Sequence, residues 1–211
     1  YGDRYNHYSA KSSKGINLDN FFTNNLKSYP QIISVEGWLI RGNQLLKKHS
    51  RVIRENFRPH EYFMRETDFM KKELRRKYGK IIGIHIRRGD LGTPKNIKRY
   101  NNYFSFDYYQ SIISKTQYVY KNNNPCFIIC SDEIIPKKYF QNMPVYFTNH
   151  NVMDDLYALS QCDMIIGPSS TFSIWASFYG QVPLYIFNKE VDFNPIEENF
   201  KIYNKLFSVE Q

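Results

Sequence analysis

An unbroken apolar run gives way to charge in the segment Ile81-Ile82-Gly83-Ile84-His85-Ile86-Arg87-Arg88-Gly89-Asp90. Apolar runs without alternation are typical of strands that are buried on both faces of a parallel sheet. Open α/β sheets carry their chemistry at the carboxyl ends of such strands. Two arginines at that position predict a doubly charged phosphate group nearby, and therefore a nucleotide or nucleotide-sugar ligand.

Downstream of this segment, short apolar runs alternate with helical patterns. The predicted strands are residues 81–86, 127–130, 145–147, 164–166 and 184–187. The predicted helices are residues 107–115, 154–162 and 171–179, with a late helix from about 195 to 206. Such alternation indicates a mostly parallel sheet that is covered on both faces. We therefore predict an α/β fold in which residues 80–211 form a Rossmann-like domain.

The preceding residues, 1–79, are too few for a second complete domain of this kind, so we expect a partial N-terminal α/β region there. A short strand is predicted at residues 31–35. An amphipathic helix is predicted at residues 66–78, with Phe69, Met70 and Leu74 on one face and Gly79 as its C-terminal stop.

Charge narrows the class of partner. A net charge of +9 favours nucleic acid, an anionic membrane surface or phosphorylated substrates, although a solvated basic surface explains it equally well. No apolar run approaches the roughly 18 residues of a membrane span, and no signal-peptide pattern opens the chain. Cys126, Cys130 and Cys162 lack a metal-like spacing and are predicted to be buried free thiols. We predict a cytoplasmic location. Peripheral association with the inner membrane of a bacterial cell, and a membrane-tethered parent, stay open.

Three of the predicted strands end in polar clusters. The first cluster contains His85, Arg87 and Arg88, the second is Ser131-Asp132-Glu133, and the third is Pro168-Ser169-Ser170-Thr171. In a parallel sheet these ends meet at one edge, so a single site is predicted rather than three unrelated clusters.

Each cluster has two interpretations. Hydroxyl groups such as those of Ser169, Ser170 and Thr171 cap helices, but a helix start opposite Arg87 also suits a phosphate. Likewise, Asp132 and Asp155 are either plain loop and N-cap acids or carboxylates that accept two hydrogen bonds from guanine. His85 is either a core histidine or a ligand contact that is able to transfer a proton.

These residues resemble a known family. His85-Ile86-Arg87-Arg88-Gly89-Asp90 is similar to the His-x-Arg-Arg-x-Asp signature of α-1,2-fucosyltransferases (glycosyltransferase family 11-like) and of their α-1,6- and protein O-fucosyltransferase relatives. Residues 106–109, 128–132, 155–163 and 169–176 resemble the later motifs of that family in the expected order. The resemblance covers about residues 80–185, with a weaker match at 52–59.

The resemblance implies a GT-B-like architecture, with two facing Rossmann-like domains and the donor held by the C-terminal one. It implies inverting, metal-independent transfer of L-fucose from GDP-fucose to a hydroxyl group of a glycan acceptor, expected at O2 of a galactoside. Arg87 would hold the diphosphate, and His85 would contact the nucleotide. Asp155 would bind guanine with Asp132 beside it, and Ser169, Ser170 and Thr171 would bind the β-phosphate.

The general base is left open between Asp90 and His85, both at the predicted edge. No Asp-x-Asp arrangement is found, which fits chemistry without a metal cofactor. The family's glycine-rich first-strand motif is also not found. Arg41-Gly42-Asn43-Gln44 echoes it without a preceding strand pattern, so the acceptor-side domain is predicted to be shortened, incomplete or diverged.

Two alternatives remain. The first is a catalytically degenerate relative that binds a nucleotide-sugar or a glycan without turnover. The second is a basic nucleic-acid-binding protein, for which residues 95–103 interleave basic and aromatic side chains. No nucleic-acid-binding motif accompanies them, so no nucleic-acid partner is expected. The oligomeric state is not predicted.

Overall fold

The structure is a computed structural model that describes residues 5–9, 16–20, 32–36, 40–100, 102–148, 151–189 and 192–203. The chain divides into two compact units. The first comprises Tyr1–Phe57 with Asn204–Gln211, and the second comprises Arg58–Tyr203. No helix in the described ranges is long and apolar enough to cross a membrane.

The first unit contains short parallel strand pairs and helices among its described residues. Its strands are β1 (Tyr5–Ser9), β2 (Ile16–Asn17), β3 (Ile32–Glu36) and β4 (Ile40–Arg41), and its helices are α1 (Asn43–Lys48) and α2 (Ser50–Asn56). Strand β1 pairs with β3, and β2 pairs with β4. The strand predicted at residues 31–35 is confirmed as β3.

The Arg41-Gly42-Asn43-Gln44 segment does follow a strand, which corrects the expectation from sequence. Strand β4 ends at Arg41, and Gly42 begins helix α1. The Asp19 carboxylate accepts hydrogen bonds from the backbone N–H groups of Gln44 (3.0 Å) and Leu45 (2.8 Å). The strand was missed because two residues are too few to show alternation, and the acid that satisfies the helix start is distant in sequence.

The second unit alternates strands with helices. Its strands are β5 (Lys80–Ile86), β6 (Pro125–Ser131), β7 (Val145–Phe147), β8 (Met164–Pro168) and β9 (Leu184–Phe187). Its helices are α3 (Glu61–Arg75), α4 (Pro94–Tyr100), α5 (Phe106–Val119), α6 (Val152–Ser160) and α7 (Thr171–Gly180). Short 3₁₀ turns lie at Asp90–Gly92, Lys121–Asn123, Lys137–Phe140 and Glu197–Asn199.

These strands form one parallel sheet in the order β7-β6-β5-β8-β9. The central strands β5 and β6 are buried along nearly their whole length, and Ile82, Ile84, Ile86, Phe127 and Ile129 fill the core. Full burial of such a side chain stabilises the fold by about 1.5–3 kcal/mol. The predicted α/β class, the parallel sheet and the five strands of this unit are confirmed. Helix α4 was not predicted.

Helix α3 spans Glu61–Arg75 rather than the predicted 66–78. It begins early because the His60 side chain accepts a hydrogen bond from the backbone N–H of Tyr62 (3.2 Å), a cap that is uncommon for histidine. Leu74 faces the core as predicted, but Phe69 is 68% exposed, which corrects its assignment to the buried face.

This helix belongs to the second unit, whereas the predicted boundary at 79/80 assigned it to the N-terminal region. Its Arg75 guanidinium donates to the Asp163 carboxylate (2.7 Å), which also accepts from the backbone N–H of Ile81 (2.7 Å). Tyr157 of α6 donates its hydroxyl to Asp68 of α3 (3.0 Å). These contacts join residues more than 80 positions apart, so local composition carried no signal for them.

The late helix predicted at 195–206 is wrong over its described residues. The chain there makes the 3₁₀ turn at Glu197–Asn199, and Lys201 then pairs antiparallel with Leu184 through hydrogen bonds of 2.9 and 3.1 Å. Phe200 is buried, and its ring packs 5.5 Å from that of Tyr185. Strand β9 is the edge of the sheet, and its free backbone groups recruit this segment. Residues 204–206 lie outside the described ranges.

Candidate functional site

Strand register brings the predicted polar clusters to one edge of the sheet. His85 of β5 lies opposite Cys130 of β6, and Ile84 lies opposite Ile166 of β8. The residues that follow these strands therefore emerge together at the carboxyl edge. The predicted meeting of the strand ends at one edge is confirmed, and a single site formed by all three clusters stays a prediction.

A cleft of about 570 Å³ opens at this edge. It is lined by His85, Arg87, Ser131, Asp132, Glu133, Ile134, Val152, Asp155 and Phe172. We call it the donor cleft, after the nucleotide-sugar donor that the sequence predicts at this edge. Its volume lies within the range of small-molecule sites. Four of the predicted site residues meet here: His85, Arg87, Asp132 and Asp155. The others, Asp90, Ser169, Ser170 and Thr171, lie outside this lining.

Arg87 is placed at the cleft with its guanidinium partly exposed. Its Nη2 donates to the Asp90 carboxylate at 2.7 Å, and its Nε lies 3.8 Å from the Asp132 carboxylate. The backbone N–H of Arg87 donates to the Tyr109 hydroxyl at 3.4 Å. Burial raises the pKa of this phenol far above its usual range, so Tyr109 remains a neutral anchor beneath the arginine.

Asp132 holds the turn that follows β5. Its Oδ1 accepts hydrogen bonds from the backbone N–H groups of Arg88 (2.9 Å) and Gly89 (3.1 Å). A Cβ atom at Gly89 would lie 3.0 Å from the Asp132 carboxylate, so glycine permits this close approach. Asp132 lines the cleft as predicted, but one of its carboxylate oxygens already accepts hydrogen bonds from the backbone.

Arg88 is mostly buried and does not itself line the donor cleft, although its partner Glu133 does. It donates to the Glu133 carboxylate (2.6 Å), to the carbonyl of Phe104 (2.8 Å) and to the Tyr103 hydroxyl. Its guanidinium also lies over the rings of Tyr103 and Phe106, 4.5 and 4.1 Å from their centroids. Arg88 therefore supports the loop after β5 and pairs with an acid.

His85 is a buried, neutral imidazole. It is 3% exposed, its ring lies 5.2 Å from that of Phe172, and its Nδ1 has no hydrogen-bond partner among the described residues. Burial lowers the pKa of His85 to about 4; the charge of Asp132 opposes this shift and that of Arg87 reinforces it. A Cβ atom at Gly167 would lie 3.0 Å from the His85 Cβ, so Gly167 makes room for the histidine.

Asp155 is a buried carboxylate on the first turn of α6. It accepts a hydrogen bond from the hydroxyl of Thr148, the residue that follows β7. Asn151 caps the helix by accepting from the backbone N–H of Met153 (2.9 Å), so the interpretation of Asp155 as the N-cap is wrong. Asp155 lines the cleft, and Thr148 orients it.

The Ser169-Ser170-Thr171 segment begins helix α7. Ser170 is its N-cap and accepts from the backbone N–H of Phe172 (3.3 Å), as the structural interpretation predicted. The carbonyl of Ser169 accepts from the Asn102 side chain (2.9 Å), while the side chains of Ser169 and Thr171 are exposed. Binding of phosphate at this helix start stays a prediction.

The cleft contains apolar residues that sequence reasoning missed. Ile134 and Val152 are 83% and 68% exposed, and both line the donor cleft together with Phe172. The available signal was a pair of apolar residues, Ile134-Ile135, directly after the polar strand end Ser131-Asp132-Glu133. Within the ranges that the structure describes, no three histidine, cysteine or acidic side chains are grouped as metal ligands. Metal independence stays a prediction.

The sequence profile of glycosyl transferase family 11 matches residues 39–205. This match covers most of the chain, so the protein belongs to glycosyl transferase family 11. The predicted family resemblance is confirmed.

Relatives agree with this assignment. The chain is 28% identical over 101 residues to the O-antigen biosynthesis glycosyltransferase WbnK of Escherichia coli, a match that covers 45% of this chain and 33% of that protein. The chain thus spans about a third of the length of this curated relative.

Solved structures show the same fold. NodZ alpha-1,6-fucosyltransferase co-crystallized with GDP gives a TM-score of 0.55 at 16% identity, over 81% of this chain and 58% of that one. A mutant of FUT1 from Arabidopsis thaliana in complex with GDP gives 0.54 at 14% identity, over 93% and 53%. The GT-B-like α/β fold class predicted from the sequence is confirmed.

Proposed function

We propose that this protein is an inverting, metal-independent glycosyltransferase that moves L-fucose from GDP-fucose to a hydroxyl group of a glycan acceptor, at O2 of a galactoside. The observation that carries this proposal is the donor cleft, which combines the partly exposed Arg87 guanidinium with the buried Asp155 carboxylate. The Arg87 guanidinium would bind a diphosphate, and the Asp155 carboxylate would accept hydrogen bonds from a guanine base. Membership in glycosyl transferase family 11 supports the proposal.

The shape of the cleft supports a planar base near Asp155. Exposed Ile134 and Val152 offer apolar surfaces, and a base buried between them would present its polar edge to the carboxylate. A carboxylate accepts hydrogen bonds only, and guanine offers two neighbouring donors on one edge. The unpartnered Nδ1 of His85 adds a polar contact for the nucleotide.

Arg87 acts on the leaving group. When the acceptor oxygen attacks C1 of fucose, the bond from C1 to the β-phosphate oxygen breaks on the opposite face, and negative charge grows on GDP. A positioned guanidinium stabilises that charge by bidentate hydrogen bonds. Removal of one such stabilising group typically raises the barrier by about 2.7–4 kcal/mol. The start of helix α7 at Ser170 would add backbone N–H donors for the β-phosphate.

Asp90 is the better of the two candidates for the base. His85 is only 3% exposed, so an incoming acceptor hydroxyl has little access to its ring. Asp90 has a 62% exposed side chain beside Arg87, where an incoming acceptor can reach it. In this proposal Asp90 removes the proton of the attacking hydroxyl, and His85 only contacts the nucleotide.

Donor identity is tested by thermal shift with GDP, GDP-fucose, GDP-mannose and UDP-galactose, followed by a transfer assay. GDP and GDP-fucose should stabilise the protein by mass action, UDP-galactose should not, and only GDP-fucose should support transfer. Arg87→Ala should abolish transfer and most of the GDP-induced shift. The matched control is Arg76→Ala, which removes another exposed arginine that pairs with an acid three residues away, Glu73.

Near-normal transfer by the Arg87→Ala variant would contradict the proposed role of Arg87 in holding the diphosphate. GDP binding without transfer to any acceptor would favour the catalytically degenerate alternative. Steeply salt-dependent binding to oligonucleotides, without any response to GDP, would favour a nucleic-acid-binding protein.

A further inference from the structure

A second cleft, of about 430 Å³, opens beside the end of strand β9. It is lined by Tyr103, Phe104, Ser105, Tyr108, Asn188, Lys189, Asp192 and Phe193. We call it the aromatic cleft. None of these residues belongs to the donor cleft lining, and none was assigned a function from the sequence signature.

Packed aromatic rings form the floor of the aromatic cleft. Phe104 stacks on Tyr108 with ring centroids 4.9 Å apart and an interplanar angle of 24°. Phe187 of β9 packs edge-on against both rings, at 4.8 and 5.5 Å. Phe104 and Phe193 are buried, so the floor is held rigidly by the core beneath it.

The rim of the aromatic cleft is polar and carries opposite charges. The ammonium group of Lys189 lies 5.6 Å from the centroid of the Phe104 ring. Burial raises the pKa of the Tyr108 phenol, and the nearby carboxylate of Asp192 acts in the same direction. Because Lys189 and Asp192 oppose each other in charge, the rim does not select a strongly anionic ligand.

Both clefts lie at the carboxyl edge of the same sheet. The aromatic cleft is built from the start of helix α5, which follows β5, and from the residues that follow β9. Arg88 connects the two clefts. Its guanidinium donates to the Tyr103 hydroxyl of the aromatic cleft, and it follows Arg87 of the donor cleft in the chain.

We propose that the aromatic cleft binds a neutral sugar ring of the glycan acceptor, beyond the sugar that receives the transferred residue. This inference rests on the proposed function. A pyranose ring has an apolar face of C–H groups and an equatorial belt of hydroxyls. The partly exposed Tyr108 ring offers a surface for the first, and the polar rim hydrogen-bonds the second. Apolar walls with a few placed polar groups are the usual composition of small-molecule sites.

The test is direct binding in the absence of any donor, by saturation-transfer NMR. The probes are methyl β-D-galactoside and three neutral tetrasaccharides, which end in galactose, glucose and N-acetylgalactosamine. The native protein should bind at least one tetrasaccharide more tightly than the monosaccharide. The double variant Lys189→Ala, Asp192→Ala should lose affinity for that tetrasaccharide by about fivefold or more, which is the worth of roughly one net hydrogen bond.

Lys121→Ala is the matched control. Its ammonium group also lies over an aromatic ring, 5.0 Å from the centroid of Tyr118, but near the carboxyl end of helix α5 and away from the aromatic cleft. This variant should bind the tetrasaccharide like the native protein. The NMR contacts should fall on a sugar other than the terminal one.

Two outcomes would overturn the inference: equal tetrasaccharide binding by the double variant and the native protein, or no binding of any tetrasaccharide by the native protein. Neither outcome bears on donor binding. Donor binding is measured separately, by the GDP thermal shift of the double variant. Loss of the GDP response in the native protein would instead contradict the proposed function.

Discussion

The Arg87 guanidinium and the Asp90 carboxylate lie 2.7 Å apart, three residues from each other along the chain. The pair joins the residue proposed to hold the diphosphate to the residue proposed as the base. Such a partly exposed ion pair contributes only about 0–1 kcal/mol, so a doubly charged phosphate group displaces Asp90 from Arg87 at little cost. Donor binding would then free the carboxylate for the acceptor hydroxyl.

Asp90→Asn separates these two roles. We expect GDP to bind as tightly as before or up to about fivefold more tightly, because a competitor for Arg87 has lost its charge. We expect kcat to fall by about 100-fold or more, since the base is gone. Calorimetry with GDP and steady-state transfer kinetics measure the two effects. Full kcat in this variant would rule Asp90 out as the base.

We expect Arg88→Ala to lower the stability of the folded protein, in addition to any effect on donor affinity. The side chain is 14% exposed, and its loss leaves Glu133 without its 2.6 Å partner. We expect the free energy of unfolding to fall by about 3 kcal/mol, because removal of one partner from a largely buried ion pair leaves the other charge uncompensated. Urea denaturation followed by circular dichroism measures it. Arg76→Ala, at an exposed pair, should cost about 1 kcal/mol or less. Equal costs for the two variants would contradict the structural role of Arg88.

The buried His85 makes stability depend on pH. Its pKa is lowered from 6.5 to about 4, mainly by burial, so the unfolded chain binds a proton that the folded protein does not. Stability is therefore lost as the pH falls from about 6.5 to about 4. By pH 4.5 the contribution of His85 to this loss is about 2–3 kcal/mol.

His85→Gln should reduce the drop in unfolding free energy between pH 7 and pH 4.5 by that amount. Urea titrations of both proteins at the two pH values give the comparison. His49→Gln, at an exposed histidine, is the control and should behave like the native protein. If the His85→Gln variant and the native protein showed the same pH dependence, folding would not lower the pKa of His85, which would contradict a buried neutral imidazole.

Gly180→Ala tests the packing of helices α6 and α7. A Cβ atom at Gly180 would lie 2.1 Å from the carbonyl oxygen of Ser160, so the helices must separate to admit it. We expect a loss of stability of about 3 kcal/mol, at the upper end for overpacking. In Gly92→Ala the nearest contact would be an ordinary 3.4 Å from the Tyr103 ring, and we expect little change. Thermal unfolding of the two variants gives the comparison.

The sheet was readable from the sequence because each strand is an apolar run bounded by polar residues. Strands β7 and β9 match their predicted bounds, and β5, β6 and β8 exceed theirs by one to three residues. The late helix was wrong because its residues pair with an edge strand that is close in space, and no local pattern records that neighbour. Phe69 was misassigned because helical periodicity does not show which side faces the sheet.

Local sequence was sufficient for the positions of the five strands and for the motif residues at the carboxyl edge, since strand propensity and apolar patterning act over a few residues. Tertiary structure decided the roles within that edge: Arg87 faces the cleft while Arg88 is buried against Glu133, and Asp132 turns one oxygen to the backbone. It also placed helix α3 in the second unit through Asp163. The physical reason is that hydrogen bonds and burial depend on partners distant in the chain, and only the fold brings those partners together.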